Sequence, residues 1–238
     1  MNNLELNLMD LSLNELLRTV NKTELILNEQ YHEIRKFRDI ILQANNRRFD
    51  NGNTATIFLA GSGRSGFVAK FFAMRLMHLD YHVYVFGETL VPPVRDGDII
   101  IFISKSGGEN AVTDSIESTK LENIKKSEII EGKDNNKIFE HVKILSVCGS
   151  HDCYLANHSD AKIVIEALRD RKEDEEECER FKSLGFNHDE LVIMGTGFED
   201  SALIILDALI IEIMNNLGLC EADLADNHEN INRPNEDV

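Results

Sequence analysis

Thr56-Ile57-Phe58-Leu59-Ala60-Gly61-Ser62-Gly63-Arg64-Ser65-Gly66 is a short β-type run that passes directly into a glycine- and hydroxyl-rich loop. The spacing predicts a strand over 56–60 and a helix beginning near Phe67. Glycines at such a junction let the chain turn sharply and let a ligand approach the backbone, while the helix N-terminus behind them favours an anion. Formally the loop is G-x-G-x-x-G, and the acidic Glu88 stands at the end of the next β-type run. Both are features of a dinucleotide-binding fingerprint. Three features favour a different small anion. The loop carries Ser62, Arg64 and Ser65, so it is polar rather than merely small. About fifty residues of largely helical pattern precede it. A second hydroxyl-rich loop follows another strand.

That second loop is Ser104-Lys105-Ser106-Gly107-Gly108, directly after the apolar run Ile99–Ile103. Further β-type runs occur at His82–Phe86, Lys143–Val147 and Lys162–Ile165, mostly separated by segments of helical length. Apolar strands alternating with helices imply a parallel sheet covered on both faces. The expected fold class is therefore α/β, a three-layer α-β-α sandwich on a five-stranded parallel sheet. In such sheets ligands sit outside the carboxyl ends of the strands, so the two loops can converge on one phosphate. Two ordinary Gly/Ser turns are the plain alternative.

Outward from this centre, residues 4–20 and 23–45 carry apolar side chains at helical spacing and predict an N-terminal pair of amphipathic helices. A strongly apolar helix is expected from about Thr196 to Leu217, either buried or packed on a partner. The chain reads as one domain: a helical part over 1–50, an α/β core over 54–218 and a tail over 219–238. The stretches 119–141 and 169–190 read as charged surface additions, the second containing Glu173-Asp174-Glu175-Glu176-Glu177. The apolar helical surface exceeds what one sheet needs, which predicts a homo-oligomer.

With 238 residues, 42% of them hydrophobic, the chain can bury one sizeable core. Its net charge of −17 argues against nucleic acid and anionic membranes as partners. A local array of N–H donors can still bind an anionic small molecule. The four cysteines, Cys148, Cys153, Cys178 and Cys220, lack zinc-like spacing and read as reduced thiols. The first residues form no signal peptide, and no apolar stretch reaches membrane-spanning length. The expected location is the cytoplasm, with no metal.

Ile57 to Ser106 resembles the sugar isomerase (SIS) domain, and more closely the 6-phospho-3-hexuloisomerases. The matching pieces are G-S-G-R-S-G (61–66), F-A-M-R-L-M-H-L (72–79), G-E-T (87–89), S-K-S-G (104–107), M-G-T-G-F-E (194–199) and H-E-N-I (228–231). The resemblance implies a flavodoxin-like SIS fold and a cofactor-free isomerase, usually tetrameric. Such an enzyme interconverts 3-hexulose 6-phosphate and fructose 6-phosphate through a cis-enediolate. It implies phosphosugar contacts at Gly61, Ser62, Gly63, Arg64, Ser65, Glu88, Thr89, Ser104, Ser106 and Gly107. It also implies Glu199 as the base and His228 as proton shuttle or ring opener. Read on residues alone, Thr196-Gly197-Phe198-Glu199 is equally a capping box, and His228 is equally a solvated tail residue.

Two positions depart from the family pattern. Glu109 stands where the second loop normally has threonine, and Asn227 replaces an arginine before the terminal histidine. An ionised carboxylate can only accept hydrogen bonds. These departures keep two alternatives in view: a phosphosugar-binding SIS module without turnover, and an isomerase of another sugar phosphate such as a pentose phosphate.

Overall fold

A computed structural model describes residues 8–50, 55–108, 141–166 and 196–226, with the single residues 114, 117, 119, 179, 182 and 183. Most of the two charged stretches, and Glu109, Asn227 and His228, lie outside the described residues.

Five strands form one parallel sheet: β1 (Thr56–Gly61), β2 (His82–Val85), β3 (Ile99–Ser104), β4 (Lys143–Cys148) and β5 (Ala161–Val164), in the order β2-β1-β3-β4-β5. The central strand β3, Ile-Ile-Ile-Phe-Ile-Ser, is buried at every position. This is why its sequence is continuously apolar rather than alternating. Two aspartates, Asp98 buried and Asp160 half-buried, fix the strand starts. The Asp98 carboxylate accepts from the Thr56 amide at 2.8 Å and the Arg95 amide at 2.6 Å. Asp160 accepts from the Ile144 amide at 2.8 Å.

On one face the sheet residues Ile57, Leu59, Ile101 and Ile103 pack against helices. These are α2 (Thr23–Glu29), α3 (Tyr31–Asp50), α4 (Gly63–His78) and α6 (Thr196–Asn216), and α1 (Leu8–Asn21) packs on α2 and α6. On the other face Phe58, Ile100, Phe102 and Ile144 pack with Leu155 of the short α5 (Tyr154–His158). Phe58 also stacks on Phe86 at 5.4 Å. The three-layer sandwich expected from the sequence is therefore present, and a short helix α7 (Glu221–Asp226) follows α6.

Two helical boundaries differ from the sequence expectation. The run 23–45 is not one helix but the pair α2 and α3, broken at Gln30. The Gln30 side chain leaves the helical path to pair with the edge strand. Its Nε2 donates to the Val164 carbonyl at 2.6 Å, and its Oε1 accepts from the Val164 amide at 2.8 Å. One side-chain amide thus stands in for the next strand at this point. Helix α4 begins at Gly63 with Ser62 as N-cap, not near Phe67. Much of the first glycine motif is therefore the opening turn of the helix.

Candidate functional site

The strand order makes a topological switch point between β1 and β3, because the chain leaves β1 for β2 on one side and leaves β3 for β4 on the other. Ligands in open α/β sheets bind at such a crevice. Gly61 pairs in register with Ile103, and neighbouring strands lie about 4.8 Å apart. The loops after β1 and β3 therefore leave the sheet side by side. The order 2-1-3-4-5 also differs from the 3-2-1-4-5-6 sheet that houses dinucleotides. The fingerprint-like loop thus sits in a flavodoxin-like frame.

In the first loop, Gly61, Ser62, Gly63 and Arg64 are exposed while Ser65 is buried. A Cβ on Gly61 would lie 2.6 Å from the Ser65 carbonyl oxygen. The helix can close this tightly onto the strand end only because that side chain is missing. Ser62 caps α4 by backbone conformation alone, and its hydroxyl makes no capping hydrogen bond. It is free to donate to a ligand at the positive end of a sixteen-residue helix.

The second loop is built differently. Ser104 is buried, and its hydroxyl oxygen accepts from the Gly107 amide at 3.1 Å and lies 3.5 Å from the Ser106 hydroxyl oxygen. The Gly107 N–H is thus committed inside the loop, and of the two hydroxyls the exposed one is that of Ser106. Gly107 has φ of +59°, and a Cβ there would sit 2.4 Å from Cys153 Sγ. The β4–α5 segment braces the loop from behind. The Leu155 amide donates to the Gly107 carbonyl at 2.9 Å, and the Gly149 amide donates to the Lys105 carbonyl at 3.0 Å. Burial, with Cys153 close by, pushes the Cys148 thiol up to about 12. It is therefore structural rather than nucleophilic at neutral pH.

Glu199 lies in the first turn of α6. It is only 9% exposed, and its Oε2 is buried without a hydrogen-bond partner. A capping box would turn the Thr196 hydroxyl to the Glu199 amide. Instead that hydroxyl accepts from Arg64 Nη1 at 2.7 Å. A buried carboxylate oxygen without a donor is costly and rare. Thr196, one turn before Glu199 on α6, is bonded by Arg64 of the first loop, and an unpartnered buried carboxylate so placed is a candidate base. Arg64 also ties the N-termini of α4 and α6 together, so two positive helix ends meet at one place.

The remaining residues named from the sequence are placed less centrally. Glu88 and Thr89 are exposed on the turn after β2, on the side of β1 away from β3. The Glu88 carboxylate faces Lys70 Nζ of α4 at 2.6 Å, both side chains being more than half exposed. His228 is outside the described residues. Sequence reasoning gave Thr196 only a capping role and left Cys153 as an ordinary thiol. The threonine proves to anchor Arg64, and the cysteine forms the wall behind Gly107. The M-G-T-G motif at 194–197 could have flagged the first. No local signal pointed to the second.

The SIS-domain profile matches residues 53–141. An uncharacterized protein of Archaeoglobus fulgidus is 39% identical over 173 residues, spanning 73% of this chain and 79% of that one. A Methanocaldococcus jannaschii protein named 3-hexulose-6-phosphate isomerase is 34% identical over 175 residues, 74% of this chain and 76% of that one. A solved Methanococcus jannaschii structure, reported to infer a 3-hexulose-6-phosphate isomerase function, superposes with a TM-score of 0.63 at 28% identity. It covers 91% of this chain and 99% of that one. Strand order, loop placement and these similarities agree, and the chain belongs to the 6-phospho-3-hexuloisomerase family of SIS-domain proteins.

Proposed function

We propose that the protein is a sugar-phosphate isomerase that interconverts 3-hexulose 6-phosphate and fructose 6-phosphate. The observation that carries this reading is Glu199, a buried carboxylate with a partnerless oxygen in the helix turn to which Arg64 of the first loop bonds. Relatives at 27–34% identity that bear the name 3-hexulose-6-phosphate isomerase support it. In this reading Ser62, Ser104 and Ser106 hold the phosphate with the dipole of α4. Glu199 takes the proton from C3 of fructose 6-phosphate. The C–H electron pair becomes the C2=C3 bond and the carbonyl pair moves to O2. Returning the proton at C2, with transfer of the O3 proton to O2, leaves the carbonyl at C3. Two protons move, one between carbons and one between oxygens, and the sugar's overall oxidation state is unchanged, so the reaction calls for no cofactor. The enzyme works in the cytoplasm, where sugar phosphates are held, and as a homo-oligomer.

The test couples purified protein and fructose 6-phosphate to a hexulose-phosphate synthase and reads formaldehyde release. Turnover is expected for the native chain. The Glu199→Gln variant should lose about 10²–10⁴-fold in kcat, the range of a general base, and keep its affinity for inorganic phosphate. Phosphosugar binding without turnover in the native protein would instead identify a binding module. Turnover of a pentose phosphate alone would identify a different substrate.

A further inference from the structure

We propose that Arg64 serves the reacting end of the substrate rather than its phosphate, gripping the two adjacent oxygens of the enediolate. This rests on the isomerase reading above. The glycine-rich sequence alone groups Arg64 with the phosphate donors. The structure points its guanidinium elsewhere, to the Thr196 hydroxyl in the first turn of α6. Thr196 and Glu199 are three apart on that helix and share a face, with Cβ atoms about 5–6 Å apart. The guanidinium is thus moored one helical turn from the proposed base.

Two further features fit this role. Among the described residues Arg64 makes no ion pair, so it does not neutralise Glu199 and leaves the carboxylate open to a proton. A guanidinium carries five N–H donors in a planar fork. Among the described residues only the bond to Thr196 uses one, which leaves donors for a ligand. A cis-enediolate presents O2 and O3 in one plane, the geometry that a fork matches bidentately. The negative charge appears on O2 only as the C3 proton leaves. A cation held there in advance by a neutral hydroxyl therefore stabilises the transition state more than the ground state. Mooring by a carboxylate would have spent the same charge before substrate arrived.

The experiment uses the full chain with Arg64→Gln and Arg64→Lys, and three probes. These are inorganic phosphate, an open-chain polyol phosphate, and a planar hydroxamate sugar phosphate that mimics the enediolate. Native protein should bind the hydroxamate more tightly than the polyol. Both variants should lose that preference by about 10²–10³-fold, as on removing one oxyanion donor. Phosphate and polyol affinity should stay unchanged. Turnover should fall by a similar factor in kcat with KM held. Lysine should fail like glutamine, because it keeps the charge and loses the fork. If phosphate and polyol affinities fall together with the hydroxamate, Arg64 is a phosphate ligand and the proposal is wrong. It is equally wrong if the hydroxamate preference survives either substitution, or is missing from the native protein. The binding arm needs no turnover, so an inactive native chain would overturn the isomerase reading separately.

Discussion

Gly107 shows how much a single position can hold in this pocket. Its backbone is left-handed, and the space that a side chain would take belongs to Cys153. Gly107→Ala should therefore destabilise the protein by about 1–3 kcal/mol, the usual cost of a strained backbone residue, and loosen the serine loop. Thermal unfolding and phosphate titration would show it. Adding Cys153→Gly should recover the steric share and leave the backbone share. An unchanged Tm in the single variant would contradict the packing described. The thiols give a second check. Burial holds Cys148 protonated up to about 12, whereas Cys220 is exposed. Iodoacetamide at pH 8 should label Cys220 and spare Cys148 in the native state, as peptide mass mapping would reveal. Since the native thiol keeps its proton where the unfolded thiol, near 9, has lost it, stability should fall as pH rises from about 9 to 12. At this scale the sequence displayed the two loops because each is contiguous. It could not display the Arg64–Thr196 bond, which joins residues 132 apart.

Among the elements, the strands were the most legible. Every described strand starts or ends within a residue or two of the apolar run that announced it, and in β3 and β4 burial on both faces leaves little room for polar residues. The start of α4 was hidden because Gly-Arg-Ser-Gly has weak helix propensity and is held helical by closure onto β1. The break between α2 and α3 was hidden for another reason. Neither glycine nor proline marks it, and its cause is a strand edge 134 residues away. Gln30→Ala should leave the Val164 amide and carbonyl without these partners and cost about 1–3 kcal/mol. Gln30→Glu should also destabilise, because it sets a carboxylate oxygen against the Val164 carbonyl. Urea unfolding midpoints would measure both. Equal stability of all three chains would mean that the amide clip contributes nothing.

For the whole molecule, the outer surface of the helical layer is the informative feature. Phe67, Met74 and Met77 of α4 and Ile204 and Ile211 of α6 are exposed, and the seven-residue spacings Phe67/Met74 and Ile204/Ile211 draw two apolar stripes on helices that pack together. Exposed apolar surface of this continuity marks an interaction face, and the proposed homo-oligomer would cover it. Light scattering should report an assembly larger than the monomer. The double substitution Met74→Lys and Ile211→Lys should shift it to monomer without loss of helicity. A monomeric native chain would refute this.

The N-terminal helices and α6 lean on one another. Thr23 and Ser201 share a buried hydroxyl contact across 178 residues, Arg38 of α3 bonds Glu212 of α6 across 174, and Gln30 reaches β5 across 134. On the ribosome the N-terminal helices emerge first, while the surfaces that complete them emerge last. Until α6 is released, Phe37 and Ile41 lack part of their apolar shelter. Such a chain should fold slowly and after synthesis, from a collapsed precursor with sticky helices. A nascent chain stalled before residue 196 should be readily cut by protease and readily held by a chaperone.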